Sequence, residues 1–189
     1  MAALLRTAFP QFCPVSSILQ TSLTNMNAMM HPTPTLLNAG RIECQAPFEY
    51  YRQGVTPAIA RVVEGVDSER LALAAALQVR VPSLLEWYAT GYGARGRSLH
   101  EAVQQVRGYD GIQGPRSLDT RYLFEDLATG LVPLSSLGGA MGVATPLMRS
   151  VVELGNALLA RDFWQEGRSL EKLGLAGKTP EEIRKLALA

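Results

Sequence analysis

A repeated helix-start signal is the feature that most constrains the fold of this chain. A Thr-Pro pair stands ahead of apolar residues at helical spacing three times, at Thr56-Pro57, Thr145-Pro146 and Thr179-Pro180. Threonine is a favourable N-cap, and proline suits the first helical position because no N–H donor is needed there. No stretch of the chain alternates apolar and polar residues between hairpin turns. The pattern therefore predicts an all-α fold, a multi-helix bundle.

Apolar spacing and cap residues together locate the predicted helices. They run over residues 15–30, 56–78, 83–90, 98–107, 119–129, 133–141, 146–161 and 180–188. The segments 32–55, 91–97 and 108–118 are predicted to be loops, the first with a short helix at most. Because 189 residues with 47% hydrophobic content can bury one real core, we expect a single helical domain over residues 1–189.

Charge and cysteine content exclude several classes of function. The net charge is +1, whereas domains that bind nucleic acid are usually clearly basic. Cys13 and Cys44 form no disulfide framework, and with only two histidines a structural zinc site is not expected. Pro10 and Pro14 interrupt the apolar N-terminus, which therefore predicts neither a membrane span nor a signal peptide. We expect a cytoplasmic protein without a membrane, nucleic-acid or metal partner.

The stretch Gly91–Gly96, GYGARG, matches the G-x-G-x-x-G pattern of dinucleotide-binding sites, and Asp110 follows at about the right distance. In such sites the glycines follow a strand and open a helix, whose N-terminus meets the pyrophosphate. Here the preceding residues have a helical pattern, and the next helix begins only at the Ser98 cap. The glycines are therefore predicted to end a helix and form a loop, not to bind a cofactor.

His31 precedes Pro32, and a residue before proline is disfavoured in the helical region. The helix from about Val15 is thus predicted to end at Met30 or His31, with the imidazole at the negative end of the helix dipole. A histidine there can act as a general acid or base, or can simply cap the last carbonyl groups. Asn27 lies one turn earlier on the same face and could orient a substrate or the imidazole, or be merely solvated.

A second stretch, residues 116–126, mixes charges with aromatic residues after a Gly/Pro-rich loop. Arg121 suits a bidentate grip on a carboxylate, and an aspartate can hold a catalytic imidazole in one tautomer. The alternative is a surface helix in which Arg121 pairs with Glu125. Trp87 is more often a core residue than a binding wall.

Several separated blocks of sequence together resemble one family. They are residues 25–32 (NMNAMMHP), 35–43 (TLLNAGRIE), 51–57 (YRQGVTP), 81–87 (VPSLLEW), 117–123 (SLDTRYL) and 161–164 (RDFW). In this order they resemble the C-terminal helical domain of the opine dehydrogenases, such as octopine and nopaline dehydrogenases. The likeness runs from about Phe9 to Gly177. It implies a fold like the C-terminal domain of opine and 6-phosphogluconate-type dehydrogenases.

The resemblance also implies a reaction and its residues. Opine dehydrogenases condense an amino acid with a 2-oxo acid such as pyruvate and reduce the imine with NAD or NADP cofactors. By this likeness His31 and Asp126 are the catalytic proton-transfer pair and Arg121 binds the oxo-acid carboxylate. Asn27 would support them and Trp87 would contact substrate. Arg121 and Asp126 are about 140° apart on a regular helix, so they converge only if the helix bends or the substrate lies across its end.

The family's N-terminal Rossmann domain is absent from the chain, which has no room for its roughly 150 residues. We therefore expect a fragment, a truncated form or one half of a split enzyme, inactive without a dinucleotide-binding domain. Its partner would be a separate Rossmann subunit or a second copy in a homodimer. An apolar face should then be exposed, with helix 15–30 as the candidate for part of it. The alternatives are a non-catalytic helical dimerisation domain and an enzyme that reduces 2-oxo acids without an amine.

Overall fold

The computed structural model describes the backbone of residues 2–188 and the side chains of residues 4–188. The helices are α1 (Ala2–Ala8), α2 (Ile18–Leu23), α3 (Asn27–Met30), α4 (Pro32–Leu37), α5 (Ala39–Glu43), α6 (Pro57–Ala76), α7 (Leu84–Tyr92), α8 (Leu99–Val103), α9 (Arg121–Asp126), α10 (Val132–Ala140), α11 (Pro146–Leu159), α12 (Phe163–Glu166) and α13 (Pro180–Leu188). A 3₁₀ turn covers Arg107–Tyr109 and a π-helical segment covers Leu127–Leu131.

The all-α prediction is confirmed for this part of the chain. Between residues 2 and 188 there is no β-strand, and the extended pairing consists of one isolated bridge between Glu49 and Gln113. Across the same residues, no helix combines the length and the apolar character that a membrane crossing requires.

Two of the predicted helix starts have the expected caps. Thr56 accepts the Ile59 N–H through its hydroxyl at 3.3 Å, and α6 begins at the proline that follows. Thr179 and Glu182 form a reciprocal capping box at the start of α13, at 3.3 Å and 2.7 Å. In both cases the side-chain oxygen satisfies an N–H group that has no partner within the helix.

The third Thr-Pro pair starts a helix in another way, and the predicted cap of Thr145 is wrong. The Thr145 hydroxyl is buried and lies 2.9 Å from the Ser135 hydroxyl. The first N–H groups of α11 are satisfied by α6 instead, because the Glu69 carboxylate accepts from Leu147 at 2.7 Å and from Met148 at 2.9 Å. A carboxylate at a helix N-terminus is favoured by the helix dipole, and here it also ties two helices together.

The predicted helix over residues 15–30 is in fact two short helices, α2 and α3. The break follows Leu23, whose carbonyl group accepts a hydrogen bond from Arg70 of α6 at 2.6 Å. The Thr24 hydroxyl donates to the Gln20 carbonyl at 2.6 Å, so a second carbonyl group of α2 is also bonded to a side chain. A side chain distant in sequence therefore helps to end this helix.

The helix that precedes His31 ends at Met30, as predicted, but the expectation that His31 leaves the helical region of the backbone is wrong. His31 has φ −100° and ψ −54°, within the right-handed helical region, and joins α3 directly to α4. Pro32 begins α4, since a proline in the first helical position removes no hydrogen bond. Much of the predicted loop 32–55 is thus occupied by α4 and α5. Because the N-terminus of α4 follows the end of α3 directly, His31 does not lie at an isolated negative helix end.

The predicted helices 119–129 and 133–141 are joined into one continuous element, residues 121–140, by the π-helical segment Leu127–Leu131. This segment packs closely against α3. A Cβ atom at Gly130 would lie 2.5 Å from the Ala28 Cβ atom, a distance that real side chains do not adopt. The glycine therefore allows the backbone that follows Asp126 to approach the helix that precedes His31.

A buried ion pair on α6 joins three parts of the core. Arg70 is fully buried and donates to Asp67 from Nε at 2.8 Å and from an Nη atom at 2.6 Å. It also donates to the carbonyl groups of Leu23 and Pro82, both at 2.6 Å. The second Asp67 oxygen accepts the Leu84 N–H at 2.9 Å. The pair thus fixes the end of α2 and the start of α7 against α6.

In residues 15–30, the apolar side chains are exposed at the N-terminal end and buried near His31. Val15 is 47% and Ile18 is 66% exposed, whereas the residues nearer to His31 are buried: Leu23, Met26, Met29 and Met30. A second group of exposed apolar residues lies on α4 and α11: Leu37, Leu147, Leu154 and Leu158. The expected exposed face is therefore not carried by residues 15–30 as a whole.

Candidate active site

His31 and Asp126 form a buried hydrogen-bonded pair. The His31 Nδ1 atom lies 2.8 Å from the Asp126 Oδ2 atom, and each residue is 5% exposed. The His31 carbonyl group accepts from the Thr35 hydroxyl at 2.7 Å and from the Tyr50 hydroxyl at 2.8 Å. The main chain and the ring of His31 are thus both held. Because an ionised carboxylate only accepts hydrogen bonds, the proton of a neutral His31 lies on Nδ1, which leaves the lone pair of Nε2 as an acceptor.

Three tyrosines lie against the His31 imidazole: Tyr122, Tyr51 and, edge-on at 6.4 Å between ring centroids, Tyr50. Tyr122 stacks on the imidazole with a centroid distance of 4.1 Å and an angle of 18° between the ring planes. The Tyr51 hydroxyl lies 3.4 Å from Nε2, a long hydrogen bond. Nε2, the ring nitrogen that does not bond to Asp126, therefore has the Tyr51 hydroxyl as a distant hydrogen-bond partner.

All six tyrosines of the chain belong to one aromatic cluster, which the sequence did not reveal: Tyr50, Tyr51, Tyr88, Tyr92, Tyr109 and Tyr122. Tyr51 stacks on Tyr109 at 3.8 Å, and the hydroxyl of Tyr109 lies 3.0 Å from that of Tyr88. Burial raises the pKa of the Tyr51, Tyr88 and Tyr109 phenols well above the usual range, so these groups stay neutral. The neutral Tyr51 phenol is the member of this set that lies beside Nε2 of His31.

Arg121 is the first residue of α9 and lies at the surface beside the pair. Its side chain is 70% exposed, with an Nη atom 3.8 Å from Glu125, as the surface-helix alternative predicts. Its guanidinium carbon is also 6.0 Å from the ring centroid of Tyr122, the ring that stacks on His31. α9 is a regular α-helix from Arg121 to Asp126, so no bend within it turns the two side chains toward each other. Arg121 therefore borders the site at the helix start while Asp126 is buried within it.

The structure does not bring Asn27 and Trp87 to the His31 ring. Asn27 is exposed, and within residues 4–188 no hydrogen bond of its side chain is formed; its carbonyl group accepts the His31 N–H at 2.9 Å. Trp87 is half-buried and packs on Tyr88 at 5.1 Å and Tyr92 at 5.3 Å. It therefore lies at the other end of the tyrosine cluster.

The glycine-rich stretch 91–96 forms a helix stop, as predicted. α7 ends at Tyr92, its C-cap Gly93 has φ 66°, and the Ala94 N–H donates to the Tyr88 carbonyl at 3.2 Å. The acid of the pattern, Asp110, is bound by Arg52. No strand leads into this turn, so its residues do not fit a dinucleotide. Among the residues that the structure describes, no three His, Cys, Asp or Glu side chains are grouped as metal ligands.

Comparison with known proteins identifies the domain. The sequence profile of the family described as "NAD/NADP octopine/nopaline dehydrogenase, alpha-helical domain" matches residues 14–159. An opine dehydrogenase of Arthrobacter sp. (strain 1C) is 52% identical over 178 residues, which are 94% of this chain and 50% of that protein. The protein ocs of Agrobacterium vitis is 32% identical over 163 residues, 85% of this chain and 45% of that protein. The chain thus spans about half the length of these relatives.

Solved structures share the fold. An octopine dehydrogenase in complex with NADH and agmatine superposes with a TM-score of 0.77 at 17% identity, over 97% of this chain and 54% of that one. The structure of an octopine dehydrogenase with NADH and L-arginine gives 0.73 at 18% identity, over 97% and 53%. The chain is an α-helical dehydrogenase domain. It belongs to the octopine/nopaline dehydrogenase family, as the sequence resemblance predicted.

Proposed function

We propose that this chain is the substrate-binding and proton-transfer half of an opine-type dehydrogenase, which joins an amino acid to a 2-oxo acid such as pyruvate. The observation that carries the proposal is the buried hydrogen bond between His31 Nδ1 and Asp126, at 2.8 Å, in a chain of this family. The proposed reaction forms a C–N bond with loss of water and then reduces the C=N bond. A positioned proton donor and acceptor is needed in both stages.

His31 is proposed to exchange that proton at Nε2. Asp126 accepts a hydrogen bond from Nδ1–H, so it holds the imidazole in one tautomer and stabilises the imidazolium that forms when Nε2 is protonated. Because the pair is 5% exposed, little water competes for Nε2. In this role His31 gives a proton to the substrate during imine formation and reduction, and takes one in the reverse reaction.

Arg121 is proposed to bind the carboxylate of the 2-oxo acid. In support, its guanidinium is exposed, its charge suits a planar carboxylate, and it lies over Tyr122, against which His31 stacks. Since Arg121 begins α9, a substrate across the start of this helix could reach both Arg121 and His31. A substrate contact of Trp87 would require an amino-acid side chain that extends along the tyrosine cluster.

The hydride would come from NADH or NADPH held by a Rossmann domain outside this chain. Relatives about twice as long, and octopine dehydrogenase structures that contain NADH, support this part of the proposal. The partner is then a separate dinucleotide-binding subunit, or the missing half of a longer chain. The exposed thiols of Cys13 and Cys44 agree with the cytoplasmic location that the proposal includes.

A chimera tests the proposal directly. The half of the Arthrobacter opine dehydrogenase that this chain does not cover is fused ahead of residue 1 and supplied with NADH or NADPH, pyruvate and mixed amino acids. Oxidation of the cofactor that needs both substrates supports an opine-type reaction. Oxidation that persists without the amino acids indicates a 2-oxo acid reductase instead.

A chimera that folds but oxidises neither cofactor with any 2-oxo acid would overturn the proposal. The helical interaction domain would then be the better account, and it makes its own prediction. Pyruvate and amino acids should leave the melting temperature of the 189-residue chain unchanged, because only a ligand of the folded state raises it.

A further inference from the structure

We infer that Tyr51 is a positioning residue for His31: its hydroxyl donates to Nε2 and, together with Asp126, fixes the orientation and tautomer of the imidazole. The contact that carries this inference is the 3.4 Å distance between the Tyr51 hydroxyl and Nε2, at a tyrosine that is 8% exposed. This role rests on the proposed function of His31 as the proton-transfer group.

The direction of the hydrogen bond follows from its neighbours. The Nδ1–H group donates to Asp126, so the neutral ring carries its proton on Nδ1 and offers a lone pair at Nε2. The Tyr51 phenol is neutral, since burial raises its pKa and the neighbouring tyrosines add to the effect. An O–H group beside a lone pair donates to it. His31 is thus held by an acceptor on one nitrogen and a donor on the other.

The Tyr51 ring is itself rigidly held. It lies against Tyr109 at 3.8 Å with 13° between the planes, and Tyr50 meets it edge-on at 4.9 Å. These contacts fix the ring on two sides, and they therefore also fix the position of the hydroxyl oxygen. A group ordered before the substrate arrives loses little further freedom when the site fills.

The backbone that carries Tyr51 is also pinned. Arg52 donates to the main-chain carbonyl groups of Gln104 and Val106 and pairs with Asp110. The turn closes at Gly54, where a Cβ atom would lie 2.3 Å from the Tyr50 carbonyl oxygen. Only a glycine fits this approach. The contacts of Arg52 and the close approach at Gly54 therefore hold the backbone from which the Tyr51 side chain extends.

The length of the contact matters for its role. At 3.4 Å the hydrogen bond is longer than the usual range of about 2.7–3.2 Å between nitrogen and oxygen atoms, so the Nε2 lone pair is only partly engaged. A substrate proton can compete for it. Catalytic hydrogen bonds are often long in the free enzyme and tighten when the substrate binds. Tyr51 therefore orients Nε2 without blocking it.

The experiment is nitrogen NMR of the two imidazoles in the 189-residue chain, at a pH where both are neutral. The matched variants are Tyr51→Phe, which keeps the ring and removes the hydroxyl, and Tyr88→Phe, which removes a hydroxyl of the same cluster that bonds to Tyr109. His100, whose Nδ1 lies 2.8 Å from the Val55 carbonyl, reports whether the fold around the turn is kept. Because the chain has only two histidines, the signals are separable.

We expect Tyr51→Phe to move the His31 Nε2 resonance downfield, towards a free lone pair, and to leave His100 in place. Tyr88→Phe should move neither. In the active chimera, Tyr51→Phe should lower kcat by about 3- to 10-fold, the effect of one hydrogen bond, with KM for the 2-oxo acid changed less than about twofold. An unshifted Nε2 in Tyr51→Phe, or an equal shift in Tyr88→Phe, would overturn the inference.

These outcomes separate the two proposals. If the chimera is inactive with every substrate, the proposed function fails, while the Nε2 resonance still decides whether Tyr51 donates to His31. If the chimera is active and Tyr51→Phe changes neither the resonance nor kcat, the proposed function stands and the role of Tyr51 is wrong.

Discussion

Within residues 4–188, two buried base–carboxylate pairs, Arg70–Asp67 and His31–Asp126, differ in how fully their nitrogen and oxygen atoms are hydrogen-bonded. Arg70 donates to Asp67 and to two main-chain carbonyl groups, and the second Asp67 oxygen accepts from a main-chain N–H. His31 and Asp126 are also buried, yet Nε2 has the Tyr51 hydroxyl at 3.4 Å as its partner among the described residues. Arg70 is the more deeply buried of the two bases.

The difference shows that burial of a charged group does not by itself indicate a functional site. A pair whose hydrogen bonds are all used within the fold fixes helices against one another, and any change in it acts on stability. A pair that keeps one nitrogen loosely bonded can still exchange a proton with a bound molecule. We therefore expect substitutions in the two pairs to act on different quantities.

The largest effect is expected for His31→Ala in the active chimera. Removal of a general acid and base should lower kcat/KM by about 100- to 10,000-fold, because the protein then offers no group at the reacting atoms. Steady-state kinetics measures the loss, and circular dichroism verifies that the helices remain. His100→Ala is the control and should keep full activity. A loss for His31→Ala below about tenfold would place this pair in the same class as Arg70 and Asp67.

Arg70→Met is expected to act on stability. It leaves the Asp67 carboxylate buried without its partner, which should lower the free energy of unfolding by about 3–5 kcal/mol. Urea unfolding of the 189-residue chain measures this. Arg97→Met is the control, because Arg97 is exposed and its removal should change stability by less than about 0.5 kcal/mol. Equal stability of the two variants would contradict a structural role of the Arg70 pair.

Arg121→Lys should act on binding alone. A lysine keeps the charge but loses the bidentate geometry, so KM for the 2-oxo acid should rise by about 10- to 100-fold, with the unfolding free energy nearly unchanged. Glu125→Gln, which removes the surface partner of Arg121, should alter neither quantity because exposed pairs contribute little. If both variants leave KM unchanged, Arg121 is a surface residue only.

The smallest effect is expected at an exposed carboxylate whose hydrogen bonds are complete. The backbone N–H and hydroxyl of Ser83 lower the pKa of Glu86 in the capping box of α7. A group whose pKa is lowered on folding adds stability above its unfolded pKa, and this is lost as the pH falls through the folded pKa. Glu86→Gln should therefore make the unfolding free energy fall less steeply as the pH is lowered through the acidic range. Urea unfolding at a series of acidic pH values measures this slope. Ser83→Ala removes the hydroxyl but keeps the backbone N–H, so it should flatten the slope less than Glu86→Gln does. An unchanged slope in both variants would refute the cap contribution.

Local signals predicted the long helices of the fold because their causes are local. α6, α11 and α13 begin at the proline of each Thr-Pro pair, and a glycine follows the last residue of α7. The errors arose where a distant residue decides the outcome. Arg70 binds the carbonyl that ends α2, and Glu69 satisfies the N–H groups that start α11. The residues around Leu23 and Leu147 give no indication of either contact.

The candidate site was only partly accessible from the sequence. The resemblance directed attention to His31, Asp126 and Arg121, and the structure brings the first two into contact. Spacing alone could not, because 95 residues separate them and Gly130 must meet Ala28 for their helices to approach. The tyrosine cluster had no signal at all, since its members are spread over residues 50–122 without a common period.

The end of the tyrosine cluster at Trp87 has an optical consequence. Tyrosine emission overlaps tryptophan absorption, and the rings of Tyr88 and Tyr92 lie 5.1 Å and 5.3 Å from Trp87, so we expect light absorbed by these two rings to pass to Trp87 by resonance energy transfer. The other tryptophan, Trp164, contacts Arg149 and Glu153. Separation of Tyr88 and Tyr92 from Trp87 on unfolding would restore tyrosine emission at the expense of tryptophan emission. This end of the cluster thus contains an intrinsic fluorescent reporter, readable without any label.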